Sequence, residues 1–145
     1  MKFLDALQAQ ARGELPPPPI AETVGMRLTD VELGHAVFEL DAEPERHANP
    51  MGTVHGGILC DLADGAMGVS FASTLEEGES FTTLDLTINF LRPFWSGRLI
   101  AKGRVVHRGR TVGMTECDVE DEHGRLIARA SSTCMVLRGD AATGR

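Results

Sequence analysis

The sequence predicts an α+β fold in which one dominant helix packs against an antiparallel sheet. Two observations carry this prediction. Residues 54–74 are the longest unbroken helical candidate and are rich in apolar side chains. After them come four strand-like stretches separated by turn sequences, at 81–91, 98–107, 111–121 and 126–137. A length of 145 residues fits one main domain, and no internal repeat is visible.

The first residues predict a short helix on a tether. Apolar side chains recur at helical spacing in 2–12, and the run Pro16–Pro19 then forbids helix and favours an extended spacer. We therefore assign 1–19 to an N-terminal helix with its proline-rich tether, and 20–138 to the main domain. The small, polar tail 139–145 is expected to be flexible.

Period-two alternation identifies the strands. Residues 22–30 and 35–41 are interpreted as two strands around Leu33–Gly34, and the stretch Asp41–Pro50 as a polar loop broken by its prolines. The clearest strand is 81–91. There one face carries Thr82, Leu84, Leu86, Ile88 and Phe90.

Composition and charge exclude several classes of protein. A formal net charge of −7 argues against a nucleic-acid partner, which requires a basic surface. No run approaches the roughly 18 apolar residues of a membrane span. Asp5 and Gln8 interrupt any signal-peptide core. We therefore expect a cytoplasmic protein without a membrane partner.

The cysteines predict neither a disulfide framework nor a metal site. Cys60, Cys117 and Cys134 are odd in number and lack a C-x-x-C spacing, and no H-E-x-x-H motif occurs. The three thiols are expected to be small buried hydrophobes in a reducing compartment. We expect no metal and no cofactor.

The long helix carries a polar stripe. At 100° per residue, Asp61, Asp64, Gly65 and Gly68 fall within an arc of about 100°, and apolar residues fill most of the rest, as in a helix buried on several sides. Each glycine costs about 1 kcal/mol of helix propensity, which predicts close approach of another backbone. The stripe is either a solvated face or a site in which Asp64, at the apolar edge, has a raised pKa.

The start of this helix is a second candidate. Gly56 and Gly57 leave backbone N–H groups without a side chain in the way, and such donors can hold an oxyanion. The alternative is steric, since glycine also lets the chain turn. The tripeptide alone does not separate these interpretations.

Several motifs, taken together, point to a family. They are Asn49-x-x-Gly52-Thr53-Val54-His55-Gly56-Gly57, Leu62-Ala63-Asp64, Thr87-Ile88-Asn89-Phe90-Leu91-Arg92-Pro93 and Gly109-Arg110-Thr111. Over about residues 20–137, the chain resembles the hotdog-fold acyl-CoA thioesterases of the phenylacetate-pathway type. The resemblance implies a hotdog fold, with an antiparallel sheet wrapped around one long central helix. It also implies sheets paired edge to edge in a homodimer, often a dimer of dimers (a homotetramer).

The resemblance implies roles for individual residues. Asp64 matches the catalytic carboxylate, as general base or nucleophile, and the Gly56 N–H matches the donor that polarises the thioester carbonyl. Asn49 matches a side chain that orients the thioester or water, and Thr83 a hydroxyl that holds the water. His55 is expected to support the helix start rather than to act directly.

The resemblance also implies a turn that holds CoA, His107-Arg108-Gly109-Arg110-Thr111. The alternative is an ordinary solvated hairpin. Further candidate cations for holding CoA are Arg92, Lys102 and Arg138. Candidates for the acyl pocket are Met67, Phe71, Leu84, Phe90 and Trp95.

The spacing of Gly56 and Asp64 predicts a shared site. Eight residues of helix separate them by about 12 Å, whereas a reacting thioester needs both groups within about 3–3.5 Å. We therefore expect a buried acid in each subunit aimed at the partner's amide. The predicted function is hydrolysis of an aryl- or medium-chain acyl-CoA. The alternatives are an enoyl-CoA hydratase or dehydratase using His55 with Asp64, and a non-catalytic acyl-CoA-binding protein.

Overall fold

The computed structural model describes residues 2–145. Its elements are α1 (Phe3–Ala11), α2 (Pro19–Val24), β1 (Met26–Glu32), β2 (His35–Ala42), α3 (Pro44–His47), α4 (Gly56–Ala72), β3 (Ser80–Phe90), β4 (Gly97–Arg108), β5 (Val112–Asp121), β6 (Leu126–Leu137) and a 3-10 turn at Gly139–Ala142. All strands pair antiparallel, in the order β1-β2-β4-β5-β6-β3. The predicted α+β class is confirmed.

Helix α4 lies across one face of the sheet and packs mainly on β4, β2 and β5. Its side chains on that face are buried, among them Leu62, Met67 and Phe71, each without measurable exposure. The breadth of the buried arc confirms the expectation from the helical wheel. The face that carries Asp64 remains uncovered in the single chain.

Helix and sheet approach each other closely at a glycine of the sheet. A Cβ on Gly103 of β4 would lie 2.3 Å from the carbonyl oxygen of Ala66 in α4. On Gly65 and Gly68, a Cβ would meet only side chains, at 3.5 Å and 3.6 Å. The prediction that the helix glycines mark a close backbone contact is therefore wrong within one chain.

We expect Gly103→Ala to lower the free energy of unfolding by about 3 kcal/mol, because overpacking against a backbone atom forces the helix from the sheet. Chemical denaturation measures this. Lys102→Ala on the same strand is the control. It removes an exposed ion pair with Glu120 and should cost less than about 1 kcal/mol. Equal effects of the two changes would contradict the tight contact at Gly103.

Strand β3 lies at one edge of the sheet and contains a bulge. Its pairing with β6 shifts between Thr83 and Asp85, so the strand changes face there. Leu86 and Ile88 pack against the main core, whereas Leu84 is 53% exposed. The predicted strict alternation is therefore wrong at Leu84, because the extra residue resets the period.

Two prolines begin helices where extended chain was predicted. Pro19 starts α2, and Pro44 starts α3 inside the predicted loop. A proline at the first helical position gives up an N–H that has no partner there anyway. Helix α2 ends at Gly25, whose φ of 88° is left-handed. The predicted strand 22–30 is therefore wrong in its first half.

Helix α1 packs against β1. Ala9 is buried, and Leu4 and Leu7 lie against the core clusters. The Gln8 side chain donates a hydrogen bond to the Val31 carbonyl at 3.3 Å. The N-terminal helix thus adds apolar surface to the core beside the β1 edge. No helix within residues 2–145 is long and apolar enough to cross a membrane.

Candidate active site

The first turn of α4 presents a free backbone donor. His55 is the N-cap, and its Nδ1 accepts a hydrogen bond from the Gly57 N–H at 2.9 Å. The His55 carbonyl accepts from the Ile58 N–H at 3.0 Å. Within residues 2–145, the Gly56 N–H donates to no protein acceptor. It lies at the positive end of the helix dipole, where an anion is stabilised.

A cavity of about 350 Å³ opens beside this donor. Its wall includes Asn49, Leu59, Phe90 and Phe94 as well as Gly56. A Cβ on Gly56 would lie 2.9 Å from the Phe90 ring, so glycine lets the aromatic wall approach the helix start. The cavity wall thus combines apolar and polar side chains, and the Gly56 backbone donor lies at its edge.

Asn49 shapes the loop before α4. Its Oδ1 accepts from the N–H groups of Met51, at 2.9 Å, and Thr53, at 3.1 Å. Its Nδ2 donates to the Thr53 hydroxyl at 2.8 Å. One Nδ2 hydrogen remains available. The structure therefore brings Asn49, His55 and Gly56 together at one end of α4, as the sequence predicts.

Asp64 lies two turns further along α4. Its side chain is exposed in the single chain, because no element of the same chain covers this face. Its burial against a partner subunit stays a prediction. Partial burial, followed by the charge of Asp61, still raises the pKa of the Asp64 carboxyl above its ordinary value. The structure separates Asp64 from Gly56 within one subunit.

Thr83 and Asp64 lie in the surroundings of the same thiol. Thr83 pairs directly with Cys134 across β3 and β6. Burial raises the pKa of the Cys134 thiol, the hydroxyls of Ser132 and Thr83 lower it, and the Asp64 charge raises it. Thr83 therefore lies on the helix-covered face of the sheet, on the side of the molecule that carries Asp64. The Asp85 carboxylate fixes the adjoining bulge by accepting from the Thr133 N–H at 2.8 Å.

The cysteines are not activated nucleophiles. Burial raises the pKa of Cys117 to about 12, and burial is also the main cause of the raised pKa of Cys60. These thiols stay protonated near neutral pH. Cys60 is only half-buried, so the expectation of three buried thiols is wrong for it. The described residues contain no group of three or more His, Cys, Asp or Glu able to hold a metal.

The turn between β4 and β5 lies at the far end of the sheet from Gly56. Gly109 is required there, since its Cβ would lie 2.4 Å from the Val112 carbonyl oxygen. Arg108 is half-buried, and its guanidinium already interacts with other residues of the chain. Its Nε donates to the Thr74 hydroxyl at 2.9 Å, and the guanidinium lies 5.2 Å from the centre of the Phe71 ring. His107, Arg110 and Thr111 are exposed.

The arginines differ in how far they are neutralised. Among the described residues, the side chains of Arg92 and Arg110 form no ion pair or hydrogen bond. Arg92 also lines the cavity beside Gly56. Lys102 pairs with Glu120, and Arg138 with Glu79. Arg92 and Arg110 are thus the two arginines without a partner among the cations that the sequence indicates for CoA.

Most residues suggested for an acyl pocket lie elsewhere. Met67 and Phe71 are fully buried core residues, whereas Leu84 and Trp95 are more than half exposed. Of the five, Phe90 alone lines the cavity beside Gly56. No sequence pattern separates the residues of a pocket wall from those of the core, because both positions select apolar side chains.

Glu79 was missed. The stretch Glu76-Glu77-Gly78-Glu79 has the composition of a solvated turn, yet the Glu79 side chain is only 9% exposed and pairs with two arginines, Arg108 and Arg138. Its partners lie 29 and 59 positions away along the chain, so no local pattern could have indicated them.

Comparison with known proteins gives a consistent match. A family model described as the thioesterase superfamily matches residues 51–128. The chain is 29% identical to the 1,4-dihydroxy-2-naphthoyl-CoA hydrolase of Listeria monocytogenes, covering 82% of this chain and 96% of the relative. It is 29% identical to human acyl-coenzyme A thioesterase 13, covering 73% and 76%. A solved phenylacetic acid degradation-related protein of Ralstonia eutropha is 34% identical, with a TM-score of 0.79 over 89% of this chain and 98% of that one.

Proposed function

Because this chain belongs to the thioesterase superfamily, we propose that it hydrolyses acyl-CoA thioesters to a free acid and CoA. The observation that carries the proposal is the unbonded Gly56 N–H at the start of α4, beside a cavity whose wall combines aromatic rings with the polar side chains of Asn49 and Arg92. The raised pKa of the Asp64 carboxyl supplies the second half of the chemistry. Two relatives named for CoA-thioester hydrolysis support the same substrate class.

The reaction needs few groups. The Asp64 carboxylate takes a proton from water, and the water oxygen bonds to the thioester carbon. Negative charge develops on the carbonyl oxygen and is stabilised by the Gly56 N–H. The C–S bond then breaks, and the thiolate leaves and takes up a proton. If Asp64 instead attacks directly, water cleaves the resulting anhydride. Either route uses the carboxylate, the amide and no further base.

The site is composite in this proposal. Gly56 and Asp64 of one chain lie about 12 Å apart along α4. Strand β3 is an edge strand with an exposed Leu84 and Phe90, and antiparallel pairing of two such edges would bring the start of one β3 beside the end of the other. The Gly56 amide then meets the partner's Asp64. The active unit is a homodimer, alone or within a dimer of dimers.

The same pairing suggests how an acidic chain holds CoA. The turn His107–Thr111 is remote from Gly56 in its own chain, but it lies near the start of β3. It therefore approaches the Gly56 cavity of the partner. The unneutralised guanidinium of Arg110 binds a CoA phosphate there. Three free cysteines fit a cytoplasmic reaction, since such thiols persist in a reducing compartment.

A thiol-release assay over aryl- and medium-chain acyl-CoAs tests the proposal. We expect stoichiometric release of CoA and acid from at least one of them. Loss of the double-bond absorbance of an enoyl-CoA without thiol release would identify a hydratase, in which His55 acts with Asp64. Saturable binding of the whole panel without turnover would identify a binding protein.

Arg110→Glu should raise the KM for a CoA ester by about 10- to 100-fold, because it replaces a charge-assisted contact with repulsion. The KM for the matching pantetheine thioester, which lacks the nucleotide, should stay within about twofold. Steady-state kinetics on both substrates checks this. Arg129→Glu is the control, since Arg129 pairs with Asp118 on the exposed face of the sheet. Equal changes in the KM of the two thioesters would show that Arg110 does not bind the nucleotide part of CoA.

A further inference from the structure

Three segments of the chain converge on the Glu79 side chain. Its Oε2 forms an ion pair with Arg138 Nη2 at 2.7 Å, and its Oε1 accepts from Arg108 Nη2 at 3.3 Å and from the Glu76 N–H at 2.9 Å. Arg138 directly follows β6, and Arg108 ends β4. We call Glu79, Arg108 and Arg138 the Glu79 cluster. It joins the loop after α4 to the β4–β5 turn and to the end of β6.

The cluster also fixes the backbone of the turn. Arg138 Nη2 donates a hydrogen bond to the Arg110 carbonyl at 2.6 Å and forms the ion pair with Glu79. The Thr111 carbonyl accepts from the Val136 N–H at 2.7 Å. The 110–111 and 111–112 peptide units are thus both tied to the end of β6. The Arg110 side chain itself remains exposed and without a partner in the described chain.

The charged groups of the Glu79 cluster already pair with one another. Glu79 is shielded from water, with 9% of its side chain exposed. The Glu76 N–H foremost, and then Arg138 and Arg108, hold the pKa of its carboxyl below the ordinary value. Glu79 therefore stays ionised at neutral pH and keeps both arginines occupied. Of the three arginines around the turn, Arg110 is the one with all its donors available for an external anion.

We propose that Glu79 and Arg138 are positioning residues, which hold the β4–β5 turn so that the Arg110 guanidinium is presented to a CoA phosphate. This inference rests on the proposed function. A fixed Arg110 backbone lowers the ordering cost that Arg110 pays when it binds the phosphate. Arg108 and Arg138 do not contact the phosphate themselves, because Glu79 holds them.

Two substitutions that conserve charge test the proposal, Arg138→Lys and Glu79→Asp. A lysine at 138 keeps the positive charge but cannot bond Glu79 and the Arg110 carbonyl in the same geometry, and an aspartate at 79 is one methylene too short. We expect the KM for a CoA ester to rise about three- to tenfold, with kcat within twofold and an unchanged KM for the pantetheine thioester. Amide hydrogen exchange of residues 108–112 should become faster.

Arg129→Lys is the matched control, since it makes the same exchange in an exposed ion pair on the outer face. Thr74→Val leaves Glu79 and Arg138 in place and removes the two hydrogen bonds of the Thr74 hydroxyl, which accepts from Arg108 Nε and donates to the Phe71 carbonyl. It should give a smaller change of the same sign, even if the stronger variants unfold. Faster exchange with an unchanged KM would overturn the proposal and leave the thioesterase function intact. A lower KM in Glu79→Asp would also overturn it, since Glu79 would then compete with the phosphate. A wild-type protein that hydrolyses no thioester would instead defeat the function on which the proposal rests.

Discussion

Asp64→Asn should lower kcat for acyl-CoA hydrolysis by about 10³-fold, within the range lost when a general base or nucleophile is removed. The KM should change little, because the amide keeps the size of the carboxyl and CoA is held elsewhere. Steady-state thiol release measures both constants. Retention of a tenth or more of kcat would remove Asp64 from the chemistry.

The loss would not come from unfolding. The folded-state pKa of Asp64 is raised, by burial first and then by Asp61. An acid whose pKa rises on folding binds its proton more tightly in the folded state, so the ionised carboxyl destabilises that state above its raised pKa. Asn removes this cost, and the thermal midpoint of Asp64→Asn at neutral pH should equal or exceed that of the wild type.

The pH dependence of kcat/KM is a second test of the role of Asp64, and Asp61→Asn is its control. The reaction needs the carboxylate, so kcat/KM should rise with pH through the raised pKa of Asp64 and then level off. Asp61→Asn removes the neighbouring charge that contributes to this shift. Its acid limb should therefore move to lower pH, while its rate at neutral pH stays near that of the wild type. An unmoved limb in Asp61→Asn would assign the titration to another group.

The elements that the sequence predicted correctly depend on local patterns. Helix α4 carries a long apolar arc, and β4, β5 and β6 alternate between turns, so propensity and burial agree over many residues. The errors at Pro19 and Pro44 come from one local rule applied too broadly. Proline breaks a helix when it lies in the interior of that helix, but it is well suited to the first helical position.

The remaining differences depend on contacts between distant residues. Leu84 turns outward because Asp85 holds a bulge by bonding Thr133 on another strand. Glu79 is shielded from water because arginines from two other segments meet it. Neither contact can be recognised from the local sequence, whereas a helix or a strand can be recognised from its hydrophobic periodicity.

The residues of the candidate site also divide into those that a local pattern indicates and those whose surroundings lie elsewhere. The sequence motifs, taken together, located the start of α4 and its unbonded amide. The glycines there also have a steric role, since a Cβ on Gly56 would meet the Phe90 ring. The exposed Asp64 is a different case, because its surroundings in the proposed site belong to a second subunit. A catalytic acid without a covering element in its own chain is expected when two chains build the site.

Mixing two inactive variants should therefore restore activity. Gly56→Pro removes the oxyanion donor and should lower kcat by about 10²- to 10³-fold, although proline suits a first helical position. Gly56→Ala keeps the N–H and adds the Cβ that meets Phe90, so it reports the steric part alone. Asp64→Ala removes the carboxylate. Each homodimer then has two defective sites.

In a mixed dimer, the intact Gly56 of the Asp64→Ala subunit faces the intact Asp64 of the Gly56→Pro subunit, and one site of the two is complete. Random pairing of equal amounts makes about half of the dimers mixed, which predicts about a quarter of wild-type activity for a two-fold symmetric dimer. Co-expression with two affinity tags and native mass spectrometry establishes the pairing. Asp64→Ala mixed with Asp64→Asn should recover nothing. If verified mixed dimers stay inactive, the amide and the carboxylate do not meet across the interface, and a carboxylate about 12 Å away along the helix cannot serve that amide within one chain.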